Sequence, residues 1–297
     1  MVPPTQVARN WPDGRPVSTG VRRPRALQLV VVLTALVVWV ATPLAADEPA
    51  PSTDVQIAFL KGAKVVRSRP IGKGVTGALR LTLSDGALTH DAAFQSVDQR
   101  ASAQDIREGN RRAGELLFAD SYHYNIAAWE LSRLLGLDRM MPVTIERRYK
   151  GASGALSWWV DDVMMDEAER ERTAATPPGS LSDFTEQRQT MQVFAELVQD
   201  TDRNKGNVIY TNDWRLVMLD FTRAFRTQAA LRAPAALGRI DRDLLARLRA
   251  LTRNEVARAA GSHLSPFEVD AMMKRRDLIV QHFDRLVKER GEAAVLF

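Results

Sequence analysis

The chain has 297 residues, of which 45% are hydrophobic and 26% charged, an ordinary composition for a globular protein with one large domain or two lobes around a cleft. Its formal charge is +5, and residues 1–46, with five arginines and one aspartate, carry +4 of it. The remaining residues carry a net charge of +1, so bulk charge gives no support to nucleic-acid binding. The absence of cysteine excludes disulfides, thiolate metal sites, cysteine nucleophiles and lipid-modified cysteine.

Residues 1–46 are predicted to be a leader that contains a signal peptide. Arg22, Arg23 and Arg25 precede an uncharged stretch, Ala26–Ala46, whose strongly apolar part is short for a membrane span and is followed by small residues. Cleavage would place the domain outside the cytoplasm, in the periplasm or secreted; an uncleaved segment would instead be its only membrane contact. Bacterial genes can begin with a GTG codon, which is translated as Val when a start further upstream is chosen. Val21 is therefore a candidate for the true start.

Residues 47–54 are predicted to be a linker, and residues 55–160 a lobe built mainly from antiparallel strands. The dipeptide Asp85-Gly86 is typical of a tight turn between two of these strands. Runs with strand character occur at Val55–Leu60, Lys64–Arg67, Ala78–Leu83 and Thr89–Val97.

A glycine-rich sequence, Gly72-Lys73-Gly74-Val75-Thr76-Gly77, lies between two of the predicted strands. Glycines let backbone amides approach a phosphate closely, and a strand after the loop suits a kinase-type phosphate loop, whereas a dinucleotide-binding fold needs a helix there. The alternative interpretation is a flexible hairpin tip that binds nothing.

The periodicity predicts a core-facing helix at Tyr124–Leu135 that ends at Gly136, followed by another hairpin between residues 143 and 160. The charged and then Pro/Gly-rich segment Asp161–Ser182 is expected to be an exposed excursion near a lobe boundary.

Residues 161–297 are predicted to be a mostly helical lobe. A helix at Phe184–Gln199 leads into the acidic segment that follows it, and Leu244 begins a short apolar helical stripe. Two capping boxes, Thr252 with Glu255 and Ser265 with Glu268, indicate the starts of two more helices.

Three polar residues between the lobes form a candidate phosphoryl-transfer site: Asp202, Asn207 and Asp220. Asn207 follows Asp202 by five residues, which is the spacing of the Asp and Asn in a kinase catalytic loop. Asp220 precedes a Phe, as in the metal-binding Asp-Phe-Gly segment of kinases. Thr222 takes the position of the Gly. Apolar runs at residues 208–210 and 216–219 predict a hairpin that returns Asp220 to Asn207. Two acidic turns beside an ordinary hairpin are the alternative.

Together these features resemble a bacterial protein kinase-like family related to the secreted FAM20 kinases, with fainter similarity to type II phosphatidylinositol 4-kinases and HipA. The resemblance implies an α+β, bilobal protein kinase-like fold with an antiparallel-sheet N-lobe and a mostly helical C-lobe. The residues on which it depends are Ile126–Leu131, Leu134–Leu137 with Pro142, and Asp202–Asn204 with Asn207.

The resemblance also implies residue roles. Asp202 would be the catalytic acid, Asn207 and Asp220 the metal ligands, and Gly72–Gly77 the loop over the phosphates of ATP with Mg²⁺ or Mn²⁺. The partners would be the nucleotide and an acceptor that is a protein, a lipid or a sugar.

Two positions depart from the family pattern. Gln95 stands where the third strand of the family has its phosphate-binding Lys, and Asn125 stands where its helix has the partnering Glu. Both charges of the Lys-Glu pair are therefore missing, so these positions offer no positively charged side chain to the phosphates. Lys73 and Glu130, one turn further along the helix, could replace the pair, or Gln95 and Asn125 could hydrogen-bond each other.

These observations leave three functions open. The first is an extracytoplasmic phosphotransferase that acts on a hydroxyl acceptor. The second is a pseudokinase that binds or scaffolds without turnover because Gln95 and Asn125 replace the ion pair. The third is a structural envelope domain without a nucleotide site.

Overall fold

The computed structural model describes residues 51–72, 77–100 and 119–297; the predicted leader and the alternative start at Val21 lie outside them. The strands are β1 Lys64–Pro70, β2 Leu79–Ser84, β3 Thr89–Gln95, β4 Asp98–Arg100, β5 Ala119–Ser121, β6 Thr144–Tyr149, β7 Ala152–Trp158, β8 Val163–Asp166, β9 Val208–Thr211 and β10 Leu216–Met218. The helices are α1 Thr53–Gly62, α2 His123–Leu135, α3 Glu167–Thr173, α4 Leu181–Val198, α5 Arg242–Ala250, α6 Arg253–Ala260, α7 Pro266–Arg290 and α8 Glu292–Val295.

The first described element corrects a prediction, because Val55–Leu60 belongs to helix α1 and not to a strand. Ser52 caps the helix by accepting a hydrogen bond from the Val55 amide, and Thr53 and Asp54, predicted to be linker, form its first turn. Arg147 of β6 donates to the carbonyl oxygens of Leu60 and Ala63, each at 2.6 Å. Carbonyls at a helix C-terminus need such donors, and a partner more than 80 residues away cannot be deduced from a local pattern.

An antiparallel five-stranded sheet, in the order β1-β2-β3-β7-β6, forms the first half of the fold. The Asp85-Gly86 turn joins β2 to β3, as the sequence predicts, and helix α2 packs against β6 and β7. At Gly154 of β7 an added Cβ would lie 2.4 Å from the carbonyl oxygen of Gln95, so only glycine permits this approach of β7 to the end of β3. The close approach fixes the backbone of Gln95.

The predicted excursion at residues 161–182 is largely exposed, as expected, but it also contains regular structure, namely strand β8, helix α3 and the start of α4. Strand β8 pairs with β9 to extend the β9–β10 hairpin into a three-stranded sheet. Glu167 lies buried at the start of α3 and accepts hydrogen bonds from Arg170, Arg188 and Tyr210 at 2.6–3.0 Å. This network joins α3 and α4 to β9, the strand that immediately follows Asn207.

The last helices form as their capping boxes predict. Thr252 with Glu255 caps α6, and Ser265 with Glu268 caps α7, where Glu268 also accepts a hydrogen bond of 2.5 Å from the Tyr124 hydroxyl of α2. The long α7 therefore bonds directly to the helix that packs on the sheet. No helix in the described ranges is both long and apolar enough to cross a membrane.

We expect the Glu167 network to make the protein sensitive to acid. Burial alone would raise the pKa of Glu167, but the hydrogen bonds from Arg170, Arg188 and Tyr210 outweigh it and lower the pKa from 4.5 to about 2. A depressed carboxyl pKa stabilises the fold fully above the unfolded value, and this contribution is lost as the pH falls from about 4.5 to about 2. Glu167→Gln should therefore lower the free energy of unfolding by roughly 3 kcal/mol at pH 7 and flatten its decline below pH 4.5.

Urea unfolding at several pH values measures both effects. Glu169→Gln is the matched control, since Glu169 lies on the same helix but is half exposed and pairs only with the exposed Arg172. Equal stability of the two variants at pH 7 would contradict the proposed role of the network.

Candidate functional site

The β9–β10 hairpin brings Asp220 back to Asn207. Its strands pair antiparallel with Met218 opposite Val208, and the amide of Leu219 donates to the Asn207 carbonyl at 2.8 Å. The hairpin predicted from the sequence is thus present, and it places the residue after Leu219 next to the end of the Asp202–Asn207 loop.

Within that loop the Asn207 side chain is fixed by its neighbour. Nδ2 of Asn207 donates to the carbonyl oxygen of Asp202 at 3.0 Å, which turns Oδ1, the atom that could bind a metal, away from that carbonyl. The Asp202 amide donates to Asp200 at 3.0 Å, while the Asp202 carboxylate accepts a bond of 3.2 Å from Asn204 and stays 42% exposed. An exposed, oriented carboxylate is what an acceptor hydroxyl would meet.

Asp220 has a left-handed backbone, with φ of 51°. A non-glycine residue in this region costs about 1–3 kcal/mol and persists only where its surroundings impose it. Its Oδ1 accepts from the amide and hydroxyl of Thr222 at 3.2 and 2.9 Å, and its Oδ2 accepts from Gln95 at 3.4 Å. Thr222, at the Gly position of the kinase motif, therefore orients the Asp220 carboxylate.

Gln95 and Asn125 are hydrogen-bonded to each other in the structure. Nδ2 of Asn125 donates to Oε1 of Gln95 at 2.6 Å, and Oδ1 of Asn125 accepts from the Phe221 amide at 2.6 Å. Together with the bond from Gln95 to Asp220, these contacts form an uncharged chain that joins α2, β3 and the Asp220-Phe221 segment. Both ends of the Gln95 amide are used within the protein.

The predicted phosphate loop is only partly described, because Lys73 and Gly74 lie outside the described residues. Gly72 and Gly77 flank the gap, and Gly77 has a φ of 66°, which favours glycine. Glu130, the predicted partner of Lys73, pairs with Arg133 on the same helix at 3.3 Å. The replacement of the Lys-Glu pair by Lys73 and Glu130 stays a prediction.

Arg203 is a structural member of the site that the sequence analysis missed. Its guanidinium donates to the carbonyls of Asn207 and Leu219 at 2.9 and 2.5 Å, pairs with the buried carboxylate of Asp200, and lies 4.1 Å from the centre of the Phe221 ring. The signal available in the sequence was an arginine directly after the predicted catalytic Asp. Its partners, however, are backbone atoms that no motif specifies.

Arg223 is a second residue that sequence reasoning missed. Its Nη1 lies 3.5 Å from a carboxylate oxygen of Asp202, and its Nε donates to Asp120 at 3.2 Å. The backbone carbonyl of Arg223 accepts from the amide and the hydroxyl of Thr201 at 3.3 and 2.9 Å. The side chain of Arg223 thus contacts Asp202, and its backbone carbonyl is bonded to Thr201, the residue before Asp202.

The donor set suits a metal shared with phosphates better than a protein-only metal site. In residues 51–72, 77–100 and 119–297, no three His, Asp or Glu side chains converge on a common point. Asn207 and Asp220 offer one amide and one carboxylate group, and Mg²⁺ is usually held by one or two carboxylates together with waters and substrate phosphates. The two residues thus fit the predicted role.

Comparison with solved structures identifies the architecture of the fold. A structure of hydra Fam20 with sugar is similar to this chain with a TM-score of 0.60 at 15% sequence identity, covering 84% of this chain and 93% of that chain. The chain has a Fam20-like fold. The predicted α+β, kinase-like architecture and the predicted resemblance to FAM20 kinases are thus confirmed in the fold, whereas the lobe boundaries and the site roles stay predictions.

A second similar structure is the Helicobacter pylori proinflammatory kinase CtkA, with a TM-score of 0.47 at 9% identity, covering 78% of this chain and 96% of that chain. No protein-family model and no curated protein sequence matches the chain. The Fam20-like fold is therefore recognised from structure at low sequence identity.

We expect Arg203→Gln to destabilise the protein by about 3–5 kcal/mol, because it leaves the Asp200 carboxylate buried without its partner. Lys205→Gln is the matched control, since it removes the same charge from the same loop but breaks only an exposed pair with Glu171, worth about 0–1 kcal/mol. Guanidinium unfolding curves at neutral pH measure both values. A loss for Arg203→Gln as small as that of the control would be inconsistent with its structural role.

Proposed function

We propose that the protein is an extracytoplasmic kinase-like phosphotransferase that uses ATP with Mg²⁺ or Mn²⁺. The observation that supports this best is the hydrogen-bonded unit of Asp202, Asn207 and Leu219, which presents an exposed carboxylate, an oriented amide oxygen and the adjacent Asp220 carboxylate together. An acid, an amide ligand and a second carboxylate are the groups that phosphoryl transfer requires. The Fam20-like fold is consistent with the proposal.

In this proposal each residue has a separate task. Asn207 and Asp220 would hold the metal, which when bound neutralises charge on the phosphates. The backbone of Gly72–Gly77 would cover the phosphates. Asp202 would accept a hydrogen bond from the acceptor hydroxyl and orient it for in-line attack, because a loose transition state needs positioning more than a strong base.

A pseudokinase is the second candidate, and the Gln95 geometry favours it. The position that would supply a phosphate-binding cation carries a neutral amide already bonded to Asn125 and Asp220. The bond to Asp220, at 3.4 Å, is the longest in that chain, so a metal on Asp220 could displace it at small cost. Binding without turnover and binding with slow turnover are distinguishable by experiment.

The extracytoplasmic location depends on the predicted leader, whose basic and apolar segments favour export. The acceptor is a protein, lipid or sugar hydroxyl, and nucleic acid is not a proposed partner. Outside a possible uncleaved signal segment, we propose no contact with a membrane.

The decisive experiment is a thermal shift with ATP and Mn²⁺. A ligand present at 100 times its Kd stabilises the folded state by about 2.7 kcal/mol. We expect this stabilisation in the wild-type protein and its loss in Asp220→Asn, which replaces the charged metal ligand by a neutral amide. Asp270→Asn is the control, because Asp270 lies on the surface of α7 in an exposed pair with Arg253. The absence of any shift with ATP and either metal would falsify a nucleotide site.

Turnover then separates the two candidates. Asp202→Asn should keep the thermal shift and lose phosphate release and autophosphorylation by about 100-fold or more, as for removal of a catalytic acid or base. A wild-type protein that binds ATP·Mn²⁺ and transfers no phosphate to water or to itself would identify the pseudokinase.

A further inference from the structure

The proposed site lacks its expected cation at β3. ATP brings several negative charges beside Asp202 and Asp220, and Gln95 offers no charge to balance them. Arg203 lies close by, but its guanidinium is 11% exposed and is used by Asp200 and by backbone carbonyls. A cation that acts at the acceptor side of the site must therefore come from another element.

Arg223 meets this requirement. In the described part of the chain, it is the cation recorded within 4 Å of the Asp202 carboxylate, with Nη1 at 3.5 Å from Oδ2. Its side chain is 32% exposed, so the guanidinium borders both Asp202 and solvent. Its own backbone is fixed by the two hydrogen bonds from Thr201, the residue directly before Asp202. The Arg223 guanidinium therefore contacts the Asp202 carboxylate, and the Arg223 backbone is bonded to the residue that precedes Asp202.

Asp120 anchors Arg223 from the other side. Its carboxylate is 6% exposed and accepts from Nε of Arg223 at 3.2 Å, while its Oδ1 is buried with no hydrogen-bond donor among the described residues. A buried carboxylate is costly unless a cation neutralises it, so Asp120 keeps Arg223 in place. The neighbouring Ser121 amide donates to the Thr222 carbonyl at 2.8 Å, which fixes β5 against the segment that contains Arg223.

We propose that Arg223, held by Asp120, is the positioning residue for Asp202; this inference rests on the proposed phosphotransferase function. The pair fixes the direction of the Asp202 carboxylate and places a positive charge where the acceptor hydroxyl and the transferred phosphoryl group meet.

The chemical step is an ordinary phosphoryl transfer. The acceptor oxygen forms a bond to the γ-phosphorus while the bond from that phosphorus to the bridging oxygen breaks, and ADP leaves with the electron pair. The hydroxyl proton passes to Asp202. Arg223 acts through Asp202, so its removal should slow the step with little effect on nucleotide binding.

The test compares Arg223→Gln, Arg223→Lys and Asp120→Asn in the full protein, with phosphate release from ATP·Mn²⁺ as an assay that needs no identified acceptor. We expect Arg223→Gln to lower kcat about 100-fold, as a misplaced catalytic group does, and to change KM for ATP and the ATP·Mn²⁺ thermal shift less than about twofold. Arg223→Lys should restore part of kcat. Arg172→Gln, an exposed arginine of α3, is the control.

A double variant of Asp120 and Arg223 gives an independent test, because effects on kcat that do not add show that the two residues act together. If Asp120 acts by holding Arg223, Asp120→Asn should lower kcat too, and the double variant should lose little more than Arg223→Gln alone. Wild-type kcat in Arg223→Gln, or a loss of nucleotide binding as large as in Asp220→Asn, would overturn the inference while leaving the proposed function intact. Absence of turnover in the wild-type protein would overturn both.

Discussion

The ion pair between Arg203 and Asp200 is the constraint on which the site depends. Asp200 is buried directly after α4, and Arg203 joins that helix end to the carbonyls of Asn207 and Leu219. The Asp202–Asn207 loop and the β9–β10 hairpin are therefore joined to each other, which brings Asp220 next to the end of the loop. Buried charges are expensive, so removing either member of this pair would leave the other charge without its partner in the interior.

A second constraint is the uncharged chain from Asn125 through Gln95 to Asp220. In a kinase with a Lys-Glu pair, the same positions join helix and strand by a charged contact whose cation also binds phosphate. In this protein the amides of Asn125 and Gln95 link α2 to β3 by an uncharged hydrogen bond. The hydrogen bond from the Phe221 amide to Asn125 extends this link to the Asp220-Phe221 segment. One uncharged chain of hydrogen bonds thus joins α2, β3 and the Asp220-Phe221 segment.

Sequence reasoning succeeded where the determinants are local. The β9–β10 hairpin, the Asp85-Gly86 turn and both capping boxes depend on residues within a few positions of each other. It failed for α1, because the apolar residues at positions 55–60 fit a strand as well as a helix, and the hydrogen bonds from the distant Arg147 to the end of the helix are not visible in a local pattern.

The same limit explains which site residues were found. Asp202, Asn207 and Asp220 follow a spacing that can be seen in the sequence, whereas the roles of Arg203 and Arg223 arise from contacts with backbone carbonyls and with Asp120, about 100 residues away. An arginine near a catalytic Asp is too common a pattern to indicate such contacts.

The central claim is that Asn207 and Asp220 bind one metal ion together with a nucleotide. A crystal structure of the protein with Mn²⁺ and a non-hydrolysable ATP analogue tests it directly, because the anomalous scattering of manganese locates the ion independently of its ligands. We predict a manganese peak at coordination distance from Oδ1 of Asn207 and the Asp220 carboxylate, with the Gln95 bond to Asp220 displaced. A nucleotide bound without a metal at these two residues, or a manganese ion held elsewhere, would contradict the claim.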